Sequence, residues 1–263
     1  MKINLDKNTS FGVAIALLGV GIGSTLEGGT LVQLVQPTAA LIVIGGTIGA
    51  VMVQFPARIL FRALVQLKDV FLDAEPAPDH LVQHLLRYAY KARKDGLLSL
   101  DAELAKIKDP FLKDSLMLAV DGVSAGDLRK MMELQLGYEG EKDERIPKVF
   151  EAAGGFAPTF GIIGAILGLI QVMQQLHDIN EIGKGMAVAF VATIYGVGLA
   201  NLLFLPCAGK LRIRLRERQV VQEMTLEAVL AIVEGVNPRA LELQLNSYIA
   251  IPPGRMIEKV IVQ

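Results

Sequence analysis

Four long apolar runs constrain the fold of this chain more than any other feature of its sequence. They cover residues 11–26, 34–55, 149–173 and 182–208. A helix of about 20 apolar residues crosses the hydrocarbon core of a bilayer, and a helix satisfies its own backbone groups where no water can do so. Hydrophobic residues make up 52% of the chain and charged residues 20%, a mixture typical of membrane spans joined to a polar domain. We therefore predict an all-α integral membrane protein with four transmembrane helices.

Basic residues cluster beside these runs, and always at the ends that would lie on the same side of a membrane. The clusters are Arg58, Arg62 and Lys68 after the second run, Lys142, Arg145 and Lys148 before the third, and Lys210, Arg212, Arg214, Arg216 and Arg218 after the fourth. Lysine and arginine accumulate in cytoplasmic loops. This pattern places both termini and the long middle segment in the cytoplasm. It predicts transmembrane helices one and two at 1–55, a helical cytoplasmic domain at 56–148, helices three and four at 149–208, and a cytoplasmic helix and tail at 209–263.

The segments between the runs have a helical pattern. The outer loop between the first two runs carries Glu27 as its only charge, and residues 31–34 extend the first span if Glu27 lies at the interface. Residues 56–73 continue the second span as an amphipathic helix, and a helix at 79–95 ends at Gly96. Short helices follow at 97–107, 110–121 and 124–136, and another runs over 210–234 after the fourth span.

The third run contains residues that a simple membrane anchor does not need. Gly161, Gly164 and Gly168 recur at helical spacing and give a smooth face that another helix can approach closely. Pro158 removes one backbone hydrogen bond and frees the carbonyl four residues earlier, which bends or softens the helix near its start. Two interpretations remain open: a kinked, tightly packed span, or a moving or ion-handling part of the protein.

Polar residues in the fourth run lie on one helical face. Thr193, Val197 and Asn201 are four residues apart in sequence. They either hydrogen-bond to a neighbouring helix or line a hydrated path. No acidic residue lies in the middle of any run, and Glu151 lies at the cytoplasmic end of the third, where an interfacial position is expected. If the chain handles ions, a partner must supply the titrating group that normally marks an ion path.

The middle segment contains the motif KARKDGLLSLD at residues 91–101, in which Arg93 and Asp101 are eight residues apart. Taken alone, the motif is a solvated surface. His80 and His84 have helical spacing but no third metal ligand, so no metal site is predicted. No nucleophile and base occur in a pattern that suggests an enzyme. A solitary transporter is disfavoured, because such proteins bind their substrate with intramembrane acids or paired broken helices.

Together these motifs resemble the MotA/PomA family of flagellar motor stators over nearly the whole chain. APTFGIIGAILGLIQVM at 157–173 is similar to the family's proline-bearing third span, and MAVAFVATIYGVGLANLLFLP at 186–206 to its fourth. KARKDGLLSLD resembles its rotor-facing motif, and GVNPRALELQLNSYI at 235–249 its C-terminal signature. ExbB/TolQ-type energisers of outer-membrane transport are the alternative, but they usually have three spans with the insertion after the first.

The resemblance implies roles for particular residues. Pro158 takes the place of the family's third-span proline, which links ion passage to a change of shape. Pro206 matches the proline that closes the fourth span, and Thr193 matches a threonine beside the ion site. Arg93 matches the arginine that engages the rotor by charge. Asp101 stands where the family usually has glutamate, a departure that keeps the charge but shortens the side chain by one methylene.

The resemblance also implies an assembly. Five copies would form a ring in the bacterial inner membrane around a MotB-like single-span partner whose aspartate carries the ion, and the ring would turn the rotor C-ring. No cofactor is implied. Sodium-type relatives tend to carry a threonine seven residues after the third-span proline, and this chain has Ala165 there. Because alanine offers no oxygen ligand, we predict that the transported ion is a proton.

Overall fold

The structure is a computed structural model that describes residues 4–26, 28–73 and 78–249. The prediction for Glu27 and the end of the predicted C-terminal tail lie outside these residues. Two compact units are present, each made of two stretches of the chain. The described parts of Met1–Ala74 and Asp143–Arg212 form the first unit, and those of Glu75–Lys142 and Ile213–Gln263 form the second.

Helices account for nearly all of the described chain. In order they are α1 (Lys7–Leu26), α2 (Pro37–Ala40), α3 (Gly46–Gln54), α4 (Ala57–Phe71), α5 (Pro78–Asp95), α6 (Asp101–Leu104), α7 (Pro110–Val120), α8 (Ala125–Gln174), α9 (Ile179–Leu199), α10 (Leu205–Val233) and α11 (Pro238–Ile249). Short 3₁₀ turns lie at Leu31–Leu34 and Leu97–Leu100, and π-helical turns join α2 to α3 at Leu41–Gly45 and α9 to α10 at Ala200–Phe204.

Four of these helical stretches are long and apolar enough to cross a membrane: Asn8–Leu26, Pro37–Gln54, and parts of Ala125–Gln174 and Ile179–Val233. The prediction of an all-α protein with four spans is therefore confirmed. One small exception occurs in the first unit, where the two-residue strands β1 (Asn4–Leu5) and β2 (Leu72–Asp73) pair antiparallel. Residues 31–34 do not extend the first helix but form a separate 3₁₀ turn.

The third and fourth spans are longer helices than the sequence indicated. The separate helices predicted at 124–136 and 149–173 are wrong, because α8 runs unbroken for 50 residues through both Pro147 and Pro158. The intervening stretch is rich in glutamate, lysine and arginine, which are strong helix formers. The helix predicted at 210–234 is not a separate element after the fourth span, because the π-helical turn at Ala200–Phe204 continues directly into α10.

The second span does not continue directly into the amphipathic helix that follows it. Phe55 has an extended backbone, with φ −121° and ψ 138°, and α4 begins only after Pro56. A residue before proline is disfavoured in the helical region, which explains the break. Ala63 and Val70 of α4 are buried in an apolar cluster of the first unit that also contains Phe150.

The second unit has its own hydrophobic core. Fully buried side chains from α5, α7, α11 and the parts of α8 and α10 within this unit meet there, including Leu85, Leu116, Leu128, Met224 and Leu241. The 3₁₀ turn at Leu97–Leu100 contributes Leu100 to the same core. This core fixes the position of the segment that carries Arg93 and Asp101.

Candidate functional site

The glycine face of the third span packs directly against α9. A methyl group at Gly161 would lie 3.0 Å from the carbonyl oxygen of Ala192 and 3.3 Å from the Cα atom of Gly196. A methyl group at Gly164 would lie 2.6 Å from Cβ of Ala192. At Gly164 a methyl group would force its neighbour to shift, and at Gly161 the facing backbone would have to give slightly. The prediction that the glycine face allows very close helix packing is confirmed.

The close contact extends towards the end of the third span. A methyl group at Gly168 would lie 2.7 Å from the carbonyl oxygen of Gly185 and 2.8 Å from the backbone nitrogen of Ala189. Gly185 is buried and in turn approaches the backbone of Gly168. Both helices therefore contribute small residues, and their backbones are in contact over about two turns of α8.

Pro158 lies at one end of this glycine contact. A methyl group at Gly196 would lie 3.1 Å from the Cα atom of Pro158 and 2.6 Å from the carbonyl oxygen of Ala157. The ring of Pro158 has no N–H, so the carbonyl of Gly154 loses its usual helical donor. A backbone position of α8 that lacks one helical hydrogen bond is thus placed at a close contact between the two helices.

The predicted polar face of the fourth span is exposed in this chain. Thr193, Val197 and Asn201 are all accessible. The hydroxyl of Thr193 donates to the carbonyl of Ala189 at 3.2 Å, and the amide of Asn201 donates to the carbonyl of Val197 at 2.9 Å. Both side chains therefore bond to their own helix. Within the described part of the chain they do not join neighbouring spans, which leaves the face available as the wall of a path.

The remaining predicted residues of the membrane spans flank this face. Ala165 is half-buried on α8, one residue after Gly164. Asn201 belongs to the π-helical turn, and Pro206 is the second residue of α10. A proline inside a helix clashes with the carbonyl four residues earlier, and a wider turn just before it removes that crowding. In this chain the π-helical turn ends two residues before Pro206.

Tyr195 is a linking residue that the sequence did not indicate. Its hydroxyl donates to the carbonyl of Leu34 at 2.5 Å and accepts from the backbone N–H of Gln36 at 3.3 Å. These groups precede the second span in a stretch that lies outside any α-helix. Backbone groups near the membrane need hydrogen-bond partners. The hydroxyl of Tyr195 is the partner of one backbone group before Val35 and of one after it. No local pattern reveals this contact, which joins residues 161 positions apart.

A second unpredicted link joins the start of α1 to the start of α10. The ammonium group of Lys210 donates to the carboxylate of Asp6 and to the hydroxyl of Thr9. Asp6 also accepts from the backbone N–H of Thr9 at 3.0 Å, and its own N–H donates to the carbonyl of Phe71 at 2.9 Å. The hydrogen bond from Lys210 is the main reason that the pKa of Asp6 is lowered to about 2.

A cavity of about 260 Å³ lies beside this link in the first unit. It brings Asn201 and Pro206 close to the N-terminal part of α1. The lining residues are Asn8, Thr9, Gly12, Val13, Ala16, Val70, Phe71, Asn201, Leu202, Leu203, Pro206, Cys207 and Lys210.

The predicted interfacial position of Glu151 has a specific partner. Its carboxylate forms an ion pair with the guanidinium of Arg212 in the first unit. The pair joins α8 to α10 and neutralises an acid near the end of a span, where an isolated charge would be costly.

Arg93 and Asp101 lie in the second unit, on either side of a sharp turn. α5 ends at Asp95, and Gly96 has a φ of +82°, so the two residues are not on one continuous helix. Both are exposed. Within the described residues, neither side chain makes a hydrogen bond or an ion pair, which leaves both charges available to a partner.

One charge of the same motif, Lys91, is used internally, while Lys94 and Asp95 are exposed like Arg93. Lys91 donates to Glu103 at 2.7 Å across the turn, and Lys106 donates to the other oxygen of Glu103 at 3.2 Å. The hydrogen bond from Lys91 is the larger cause of the lowered pKa of Glu103. This pair closes the base of the turn, while Arg93 and Asp101 remain free. His80 and His84 belong to no metal-binding cluster among the residues that the structure describes.

Comparison with known proteins agrees with these features. The MotA/TolQ/ExbB proton channel family model matches residues 103–224, and the motility protein A N-terminal model matches residues 10–96. The second match covers the two spans before the insertion, which distinguishes the chain from the ExbB/TolQ alternative.

Relatives match over nearly their whole length. Motility protein A of Bacillus subtilis is 32% identical over 246 residues, which cover 93% of this chain and 91% of that protein. The solved structure of C. jejuni MotAB matches with a TM-score of 0.88 and 31% identity over 92% of this chain and 95% of the other. The structure of the flagellar MotAB stator complex from Bacillus subtilis matches with a TM-score of 0.86 and 31% identity over 96% and 99%. The prediction of a flagellar stator subunit is confirmed, and the chain belongs to the motility protein A family of multi-pass membrane proteins.

Proposed function

We propose that this chain assembles with a MotB-like single-span partner into a complex that conducts protons and turns the flagellar rotor. The observation that carries the proposal is the contact between Pro158 and Gly196. It places a softened backbone position next to the exposed polar face of Thr193 and Asn201. A conformational change that follows ion passage could start at such a position, because no large side chains have to separate there.

The need for a partner follows from the charges of the spans. The runs contain no acid near their middle, and Glu151 at the end of one is already paired with Arg212. A carboxylate that accepts and releases the ion must therefore come from another chain. Two of the matching solved structures are of MotAB, which supports a MotB-like protein as that chain. The ring of five copies around it is part of the proposal and comes from the resemblance to the family.

The energy of each step limits how tightly the ring can hold its partner. One charge crossing the membrane releases about 2.3 kcal/mol per 100 mV. The ring must then move between states of nearly equal free energy. Backbone contacts between glycines, such as Gly161 against Gly196, permit small shifts because no side chain has to leave a pocket.

The choice of ion rests on the number of oxygen ligands. Sodium requires several oxygens around it, whereas a proton requires only the carboxylate. The side chain of Ala165 offers none. The hydroxyl of Thr193 donates its hydrogen to Ala189 and so keeps its oxygen as a single possible ligand. One threonine oxygen beside the partner's carboxylate makes a poor sodium site, so we propose a proton.

The proposed orientation places both termini and the second unit in the cytoplasm of a bacterial inner membrane. Strand β1 near the N-terminus pairs with β2 at the end of α4, and Asp6 pairs with Lys210 after the fourth span. These contacts put the N-terminal segment beside two basic clusters of the sequence. They support the same side of the membrane for the N-terminal segment and both basic clusters. The positive-inside rule makes that side cytoplasmic.

We also propose that Arg93 and Asp101 contact the rotor. Both are exposed and free of partners in the described chain, whereas Lys91 and Glu103 beside them are paired with each other. Arg93→Glu should then abolish torque and leave the complex in the membrane. Recovery of motility by a charge reversal on the rotor would support direct contact.

The experiment that tests the whole proposal is deletion of the gene, with swimming and filament staining scored together. Cells that keep their filaments but cannot swim would place the chain in torque generation. Any second stator set in the host is deleted in the same strain, so that redundancy cannot hide the effect. Normal swimming in that strain would overturn the proposal.

A further inference from the structure

The turn that separates Arg93 from Asp101 carries an exposed leucine. The side chain of Leu98 is 76% exposed, although its neighbour Leu100 is fully buried in the core of the second unit. Exposed leucines occur singly on many surfaces, so exposure alone has no meaning. The position of this one is unusual, because it lies between Arg93 and Asp101, two exposed charges of opposite sign that make no hydrogen bond or ion pair among the described residues. Lys94 and Asp95, also exposed, precede the turn together with Arg93.

The backbone under Leu98 is firmly held. The carbonyl of Leu98 accepts a hydrogen bond from the backbone N–H of Asp101. The hydroxyl of Ser99 donates to the carbonyl of Gly96 at 2.6 Å. The turn is closed at its base by the ion pair of Lys91 with Glu103 at 2.7 Å, and Leu100 anchors it in the core. A side chain on such a support is presented to a partner with little further loss of entropy.

The two flanking charges cannot transmit torque well by themselves. Ion pairs between solvent-exposed groups contribute little and require favourable geometry, and cytoplasmic salt screens them beyond about 8 Å. An apolar contact is not weakened in this way, and it excludes water from the charges around it, which strengthens them.

We propose that Leu98 is the apolar anchor of the rotor contact, seated on the rotor between the partners of Arg93 and Asp101. This inference rests on the proposed rotor role of the turn and adds the nature of the contact. The complementary rotor surface should present an apolar side chain or recess flanked by one acidic and one basic group. The charges then select the register of the contact, and the leucine resists slippage under load.

The second unit offers a matched control. Leu243 on α11 is also 76% exposed, but it is outside the turn and has the same side chain. Leu98→Ser, Leu243→Ser, the conservative Leu98→Met and Arg93→Glu would each replace the wild-type protein in a motile strain. Torque per stator is read from the height of the speed steps of a bead at high load, and immunoblots measure the stator in membranes.

We expect Leu98→Ser to lower the torque step at high load by at least about two-fold, with wild-type amounts in the membrane. Leu98→Met and Leu243→Ser should keep the wild-type step. Equal steps for Leu98→Ser and Leu243→Ser would overturn the inference. If Arg93→Glu loses torque in that case, the rotor role of the turn survives without its leucine. If Arg93→Glu also keeps full torque, both proposals fail.

Discussion

Gly196 of the fourth span and Gly161 of the third approach so closely that a methyl group on Gly196 would lie 3.0 Å from the Cα atom of Gly161. The same methyl would lie 2.6 Å from the carbonyl oxygen of Ala157. Neither neighbour is the end of a flexible side chain, so the backbones themselves would have to separate. This contact gives the protein a position where one methyl group should have a large effect.

We predict that Gly196→Ala reduces swimming to a small fraction of the wild-type speed. Overpacking of this kind costs roughly 1–3 kcal/mol, which is comparable to the energy available per step. The measurement is swimming speed, together with the amount of protein in the membrane.

The same helix contains the control for this prediction. Gly198 lies two residues further on, and a methyl group there would meet nothing within 4 Å. Gly198→Ala should swim normally. If both variants swim equally well, close packing at Gly196 is not needed for rotation.

The hydroxyl of Tyr195 leads to a second prediction. Tyr195→Phe keeps the ring but leaves the carbonyl of Leu34 and the N–H of Gln36 without this partner. Such losses cost roughly 1–3 kcal/mol. We expect a lower melting temperature for the purified complex in detergent. Tyr138→Phe, at a tyrosine that is 69% exposed, is the control and should melt like the wild type.

Two prolines within α8 allow a third prediction. Pro158→Ala restores a backbone N–H at the glycine contact and stiffens the helix there. We expect it to stop rotation while the protein inserts normally into the membrane. Pro147→Ala restores an N–H in the same helix away from that contact, and it should retain rotation. Normal swimming by the Pro158 variant would remove the central role given to this residue.

The identity of the ion leads to a fourth prediction. Swimming speed at fixed proton-motive force should not change with external sodium, because Ala165 provides no oxygen ligand. Speed should instead fall when a protonophore collapses the proton gradient. A speed that rose with sodium concentration would show that other oxygens complete a sodium site.

The ion pair of Asp6 with Lys210 predicts a dependence on pH. The pKa of Asp6 is lowered to about 2 in the folded protein from 3.8. The carboxylate therefore stabilises the fold fully above the unfolded value, and this stabilisation is lost as the pH falls towards 2. At pH 6 the Asp6→Asn variant should melt below the wild type, and the difference should shrink as the pH drops below 4. A difference independent of pH would mean that the charge of Asp6 is not responsible.

Local patterns were sufficient to predict the four spans and the glycine face. Apolar runs and glycine spacing are properties of a few adjacent turns, so Gly161, Gly164 and Gly168 could be assigned to one face before any coordinates. The break at Phe55 was missed although Pro56 encodes it, because the amphipathic pattern of residues 56–73 follows the apolar second run directly and was interpreted as its continuation.

Contacts between distant parts of the chain could not be predicted in this way. Tyr195 with Leu34 and Lys210 with Asp6 depend on how the spans are arranged, and a single sequence carries no sign of them. The hydrogen bonds of Thr193 and Asn201 to their own helix also depend on rotamers. For the turn after α5, the sequence was sufficient to single out Arg93 and Asp101. It did not show which of the leucines between them is buried; only the structure shows that Leu100 is in the core and Leu98 is exposed.

The pairing of β1 with β2 bears on how this protein can be labelled for imaging. A fluorescent protein joined just ahead of Asn4 would crowd the strand that pairs with Leu72–Asp73 and the adjoining link from Asp6 to Lys210. The turn between α7 and α8 is a better place for an insertion. Asp121 and Gly122 are exposed there, and Gly122 has a φ of +81° that suits a tight reversal. A tag at that turn should report the number and exchange of subunits in a working motor without disturbing its membrane helices.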